Sequence, residues 1–213
     1  LLALAKDAMA GDRATRSGDF AWRDRRTASD VAGKSALIMG FGRIGQRVGA
    51  LCRALGLRVA AFDPYMERSP VEGVEMVKDF RAILPETDFL CLHLPSTPET
   101  RDLIGAGELA LLKRGAFVLN CARGGIVDED VLCDALESGH VGGAGLDVFA
   151  KEPPDTAHRL FRQEKVLLSP HNAALTEECA IRMATQAVQN VLDCLDGKLQ
   201  PRVVMNRREI GMA

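Results

Sequence analysis

His171 lies in Ser169-Pro-His-Asn-Ala-Ala-Leu-Thr176, between an apolar run and the start of a long amphipathic pattern. Histidine is the one side chain whose ordinary pKa lets it give or take a proton near neutrality, as reduction of a carbonyl requires. The other histidines are poorer candidates: His93 reads first as a satisfied strand-end residue, His140 falls in a helix-to-strand turn, and His158 in a polar stretch. Arg123 stands in Asn120-Cys-Ala-Arg-Gly-Gly125, pinned beside two glycines where the chain must turn sharply. Its planar fork matches a carboxylate in bidentate fashion, as a lysine would not; an arginine that ties down its own loop fits the sequence equally well. Asp147 and Glu152 share Asp147-Val-Phe-Ala-Lys-Glu-Pro-Pro154. A carboxylate such as Glu152 would orient the His171 ring and favour its protonated form, although alone Glu152 reads first as a solvated loop acid.

A second chemistry is written in Gly40-Phe-Gly-Arg-Ile-Gly45, which follows the apolar run Ser35–Met39 and opens a helix-patterned segment. Gly40 permits a tight turn out of a strand, Gly42 lets backbone approach a pyrophosphate, and Gly45 lets helix and strand pack closely. The helix N-terminus then offers free N–H groups and a partial positive charge to phosphates. Asp63, eighteen residues after Gly45, ends the next strand. There a carboxylate accepts both ribose hydroxyls of NAD and repels an added 2′-phosphate. A lone glycine pattern is weak, but strand, motif, helix, second strand and acid in order make a specific signal.

The elements that position these groups alternate. Strands are expected at 35–40, 57–62, 74–77, 88–93, 116–120, 142–147 and 166–169, and helices at 43–55, 78–84, 105–112, 128–138 and 176–196. Strands such as Phe89-Leu-Cys-Leu92 are continuous apolar runs, as burial on both faces of a parallel sheet demands. The fold class is therefore α/β, a Rossmann-type doubly wound parallel sheet with a flanking N-terminal arm and a long C-terminal helix. Residues 1 to about 10 are helical in composition; 11–33 are polar and nearly free of periodicity, with Phe20 and Trp22 as their large apolar groups. Those two rings lack local partners, so they are expected to pack on another domain or subunit. Apolar residues at 180, 183, 184, 187, 188, 191 and 195 give the last helix a face that something large must cover.

Composition excludes some classes. A formal charge of −2 with no basic stripe lacks the footprint of a nucleic-acid binder, and Arg23-Asp-Arg-Arg26 reads as a solvated arm. No apolar stretch approaches the ~20 residues that span a bilayer. Leu1-Leu-Ala-Leu-Ala5 reads as the end of a helix and not as a leader. Six cysteines without a CxxC pair or a nearby histidine cluster read as reduced core residues of a cytoplasmic protein, with no metal site.

In combination, GFGRIG, Asp63, HLPSTPET, NCARGG, DVFAKEP and SPHNAALT resemble the NAD-dependent D-2-hydroxyacid dehydrogenase family, most closely its D-3-phosphoglycerate dehydrogenase-like members, over about residues 1–206. The resemblance implies hydride transfer between NAD and a small D-2-hydroxy or 2-keto acid resembling 3-phosphoglycerate, glyoxylate or hydroxypyruvate. It implies that Arg123 binds the substrate carboxylate and carbonyl oxygen, that His171 is the acid–base group and that Glu152 is its partner. It also implies an NAD site formed by Gly40, Gly42, Arg43, Ile44, Gly45, Asp63, Leu94, Pro95, Thr100, Cys121, Ala122, Arg123, Asp147, His171, Ala173 and Ala174, with Asp147 near the nicotinamide amide. A formate dehydrogenase-like member would carry glutamine at 152. Family resemblance further divides the chain into an interdomain helix and dimerisation arm (1–34), an NAD-binding domain (35–174) and a C-terminal helix and tail (175–213). It implies a homodimer, and an upstream substrate domain of about 100 residues that this chain lacks, so that turnover by the chain alone is in doubt. Corepressors that sense dinucleotides resemble the same family, and are the alternative from another functional class, as is an impaired fragment that only binds NAD.

Overall fold

The computed structural model describes residues 1–25, 27–204, 206 and 209–211; Arg26 of the expected solvated arm and five residues of the expected tail lie outside them. Two compact units are present, Leu1–His171 and Asn172–Ala213. The first opens with α1 (Leu2–Ala5) and α2 (Ala8–Arg16). It continues through β1 (Ser35–Met39), α3 (Arg43–Ala54), β2 (Arg58–Phe62), β3 (Val74–Met76) and β4 (Phe89–Leu92). It ends with α4 (Ala106–Leu111), β5 (Ala116–Asn120), α5 (Glu129–Glu137), β6 (Val141–Leu146) and β7 (Val166–Leu168). Among the described residues, seven parallel strands form one sheet in the order β3-β2-β1-β4-β5-β6-β7.

Alternate residues of the central strands face two separate cores. Leu37, Met39, Leu90 and Leu92 join a cluster with Leu109, Leu132 and Leu136, whereas Ala36, Ile38, Phe89 and Cys91 join one with Phe41, Cys52 and Ala5. Both sheet faces are thus covered, which is why the strands read as unbroken apolar runs. β6 has a different composition, Val-Gly-Gly-Ala-Gly-Leu. A Cβ on Gly142 would collide with the Gly115 carbonyl, one on Gly143 would lie 2.8 Å from the Lys165 carbonyl oxygen, and one on Gly145 3.1 Å from Leu4 Cδ1. The strand is bare because neighbouring backbone and α1 occupy the space of its side chains.

Two expectations fail locally. The helix expected at 78–84 is a run of turns ending in a short 3₁₀ segment, Leu84–Glu86. Asp79 accepts the Arg81 amide at 2.9 Å in a local turn, and Pro85 donates no N–H and disfavours a helical residue before it. The N-terminal helix does not stop near residue 10: it breaks at Asp7, whose φ is +47°, and resumes through Arg16. An Asp12–Arg16 pair at 2.9 Å supports the added turn. Trp22 then finds a local partner after all, because bare Gly11 leaves its ring room, 3.3 Å from where a Cβ would sit. Phe20 remains 69% exposed beneath the Arg23 guanidinium.

The second unit is built on α6 (Glu177–Leu195), whose N-cap Thr176 accepts the Cys179 amide at 3.1 Å. Its Ile181, Met183, Val188, Val191 and Leu195 are exposed. Among the described residues no helix is long and apolar enough to cross a membrane. The cysteines divide: Cys52, Cys91 and Cys133 are buried as expected, whereas Cys121 and Cys194 are exposed.

Candidate active site

The strand order reverses between β1 and β4, and ligands of open α/β sheets bind off the carboxyl ends of the strands at such a point. The glycine turn sits there. Gly40 has φ +84°, and a Cβ on it would stand 2.5 Å from the His93 carbonyl oxygen. Both facts demand glycine, because L side chains avoid that φ and the backbone beyond β4 leaves no space. A Cβ on Gly45 would collide with the Gly40 carbonyl, while Gly42 faces open space. Gly42 is also the N-cap of α3 and provides no side-chain cap. The first-turn amides of α3, including those of Arg43 and Ile44, are therefore left for another acceptor.

Asp63 does more than its spacing suggests. Its Oδ2 accepts the Phe41 amide at 2.9 Å, inside the glycine turn, and its Oδ1 accepts the Tyr65 amide at 3.0 Å. Each oxygen keeps capacity for a ribose hydroxyl. Beyond β4, Leu94 is buried, and Thr100 Oγ1 accepts the Thr97 amide at 2.8 Å while donating to the Pro95 carbonyl at 2.7 Å, which fixes that loop. The His93 ring departs from expectation. Both nitrogens are buried with no partner among the described residues, and burial holds the ring's pKa below the ordinary range. Uncapped helix amides, a backbone cradle that Cβ atoms would fill and orphaned polar atoms at the end of β4 together fit a dinucleotide.

The candidate acid–base and substrate-binding residues lie off β5, β6 and β7. Buried Asn120 ends β5; its Nδ2 donates to the Arg123 carbonyl at 2.9 Å, and its Oδ1 accepts the Ala122 amide at 3.1 Å. Asn120 thereby folds the turn that presents Arg123. Arg123 is exposed and spends one donor, Nη1, on the Ala122 carbonyl at 2.6 Å; among the described residues no carboxylate pairs with it. Tying down its own loop leaves the rest of the fork open, so the two readings of this arginine are compatible. Buried Asp147 accepts Ser169 Oγ at 2.6 Å. The nearby Cys121 residue is exposed overall, yet its thiol is held above its ordinary pKa, first by desolvation from the atoms packed around the sulfur and then by the Asp147 charge.

Glu152 and His171 are brought together across nineteen residues, with Nδ1 2.8 Å from Oε2. The other oxygen, Oε1, accepts the Phe149 amide at 3.1 Å. Glu152 is thus exposed, as a loop acid would be, but both of its oxygens are engaged. The hydrogen bond with His171, followed by the Phe149 amide, holds its carboxyl below the ordinary glutamate range. Because a carboxylate only accepts, His171 carries hydrogen on Nδ1, and Nε2 takes no part in that bond. Its backbone lies in the left-handed region at φ +51°, which histidine enters more readily than most non-glycine residues. Ala173 and Ala174 belong to the second unit. Asn120 and Ser169 are supporting residues that sequence reasoning quoted within motifs but gave no role; a polar residue at the last position of an apolar strand was the available signal.

An all-parallel sheet with a glycine turn at its reversal and an acid closing its second strand defines a dinucleotide-binding α/β domain. The family described as D-isomer specific 2-hydroxyacid dehydrogenase, NAD binding domain, matches residues 1–173, and the chain belongs to that family. NAD is accordingly its cofactor. The chain is 41% identical over 207 residues to a D-3-phosphoglycerate dehydrogenase of Mycobacterium leprae, covering 96% of itself and 38% of that protein. It is 38% identical over 216 residues to a glyoxylate reductase of Aeropyrum pernix, covering 96% of itself and 63% of the reductase. Among solved structures, the D-lactate dehydrogenase of Aquifex aeolicus complexed with NAD and lactic acid superposes with a TM-score of 0.83 at 27% identity, over 92% of this chain and 64% of that one. The chain therefore spans well under half the length of the phosphoglycerate dehydrogenases it matches.

Proposed function

We propose that the protein containing this chain is an oxidoreductase that reduces a small 2-keto acid, or oxidises the matching D-2-hydroxy acid, with substrates resembling 3-phosphoglycerate, glyoxylate or hydroxypyruvate. The observation that carries this reading is the 2.8 Å contact of Glu152 with His171, on the same edge of the sheet as the glycine turn. In the reducing direction His171 gives a proton from Nε2 to the carbonyl oxygen, while Glu152 holds the ring through Nδ1. Arg123 offers the open part of its fork to the substrate carboxylate. NAD, when bound, carries the hydride. Gly40, Gly42, Arg43, Ile44, Gly45, Asp63, Leu94, Pro95, Thr100, Cys121, Ala122, Asp147, Ala173 and Ala174 form the remainder of the proposed cofactor site; no metal takes part.

The test is steady-state oxidation of NADH with hydroxypyruvate, glyoxylate and phosphohydroxypyruvate, by a longer chain in which a substrate domain precedes Leu1. Turnover of at least one is expected. NAD binding without turnover of any would favour the dinucleotide-sensing alternative. For assembly we propose a homodimer through the arm, where Phe20 stands 69% exposed; light scattering on the chain and on its Phe20→Ala variant tests this. A cytoplasmic location agrees with six free cysteines.

A further inference from the structure

The Phe149–Ala150 peptide is gripped from several directions. A Cβ on Gly124 would collide with the Phe149 carbonyl, so the turn carrying Arg123 lies directly against this peptide. The Phe149 amide is taken by Glu152 Oε1 at 3.1 Å, and the next amide, that of Ala150, by Glu129 Oε1 at 2.6 Å. Glu129 opens α5, half-buried, twenty-one residues before the amide it accepts. Two consecutive amides thus end on two carboxylates, one from within the loop and one from outside it.

We propose that Glu129 is a positioning residue: by accepting the Ala150 amide it fixes the loop from Asp147 to Glu152 in the shape that aims Glu152 at His171. Gly124 completes the device by letting the Arg123 turn rest on the same peptide, so that the substrate-binding arginine and the acid–base pair move as one body. The proposal rests on reading His171 and Glu152 as the acid–base pair. An acid in the first turn of a helix also has a plain helix-stabilising role through the dipole, which Asp130 shares. Reach separates the two roles. Glutamine at 129 keeps an acceptor oxygen at the same distance, whereas aspartate keeps the charge but is one methylene shorter.

The experiment uses the 213-residue chain and needs no turnover, so its outcome is independent of whether the chain proves to be a dehydrogenase. It follows the Glu152 side-chain carboxyl by carbon NMR against pH, together with hydrogen exchange at the Ala150 amide. The groups acting on that carboxyl are His171 and the Phe149 amide, which lower its pKa, and Asp147, which raises it. In Glu129→Asp and Glu129→Ala the Ala150 amide should lose protection, and the Glu152 midpoint should move up toward that of an ordinary glutamate. Glu129→Gln and Asp130→Ala should both leave the midpoint in place. Glu129→Asp carries the test should the alanine variant not fold. An unmoved midpoint in Glu129→Asp, or an equal shift in Asp130→Ala, would overturn the proposal.

Discussion

Between β1 and α3 the chain is shaped by atoms that are missing, and between β6 and β7 by side chains that are present. In the first loop Gly40 and Gly45 leave space that backbone fills, and the α3 amides point outward because Gly42 caps nothing. In the second, Glu152 and Asp147, with Glu129 and Ser169 reaching it from outside, engage hydrogen-bonding groups one after another. A phosphate can be held by amides alone, which any residue supplies, provided the backbone comes close enough. A proton must sit on a titratable atom at a chosen place, and only side chains do that. On the function proposed above, the two loops differ as their tasks differ.

That division gives a sharp expectation for His171→Ala in a longer chain that includes the substrate domain. Turnover should fall by roughly 10² to 10⁴, the range for a removed general acid–base, with NAD affinity by nicotinamide fluorescence nearly unchanged. Parallel loss of affinity would mean that the second loop also builds the cofactor site. Gly45→Ala probes the reverse. Its Cβ would meet the Gly40 carbonyl, so thermal unfolding should show a loss of about 1–3 kcal/mol, and NAD should bind at least roughly tenfold more weakly, ~1.4 kcal/mol. Wild-type affinity in that variant would mean that the loop yields easily.

Asp63 tests the boundary, since it is a side chain serving the backbone-built loop. The chain should prefer NAD to NADP in paired calorimetric titrations. Asp63→Ala should weaken NAD roughly fivefold, the worth of about one hydrogen bond (~1 kcal/mol), and narrow the preference. NADP binding as tight as NAD in the unsubstituted chain would end that argument.

The smallest effect is expected at the other end of the sheet. Burial raises the Asp88 carboxyl, but Lys113 at 2.7 Å and the amide and hydroxyl of Ser35 together outweigh it and hold the group below its ordinary value. A depressed carboxyl stabilises the fold above its unfolded pKa, and the contribution disappears as pH falls through the folded value. Asp88→Asn should therefore cost about 1 kcal/mol at neutral pH and progressively less below about pH 4, with cofactor affinity unaffected. A cost independent of pH would show that the carboxylate's charge is not what matters there.

The same contrast explains what could be read in the sequence. Glycine spacing, apolar runs and the acid at 63 are local patterns, and they led to the doubly wound parallel sheet and the expected cofactor end. Arg123, Glu152 and His171 were singled out from residue type and place, and Glu152 was offered to His171 as a chemically apt partner, but only the resemblance assigned the three their roles together: no spacing shows that residue 152 meets residue 171. Glu129 was invisible, since an acid after a helix cap has a sufficient local explanation. The failed helix at 78–84 and the partner that Gly11 gives Trp22 were likewise matters of local competition and contact. His93 was misjudged because burial of both ring nitrogens depends on everything packed around β4.

The bare strand β6 bears on how this protein tolerates change. Gly142 and Gly143 have backbone where a side chain would go, and Gly145 has Leu4 of α1. Substitution there can only add atoms to space already taken. A saturation survey scored by growth or expression should therefore mark 142 and 143, and less severely 145, as intolerant positions comparable to those that handle protons, though no chemistry occurs on them. Such a survey would separate the two kinds only if folded yield and turnover were scored independently: the glycines would be lost from the first measure, His171 from the second.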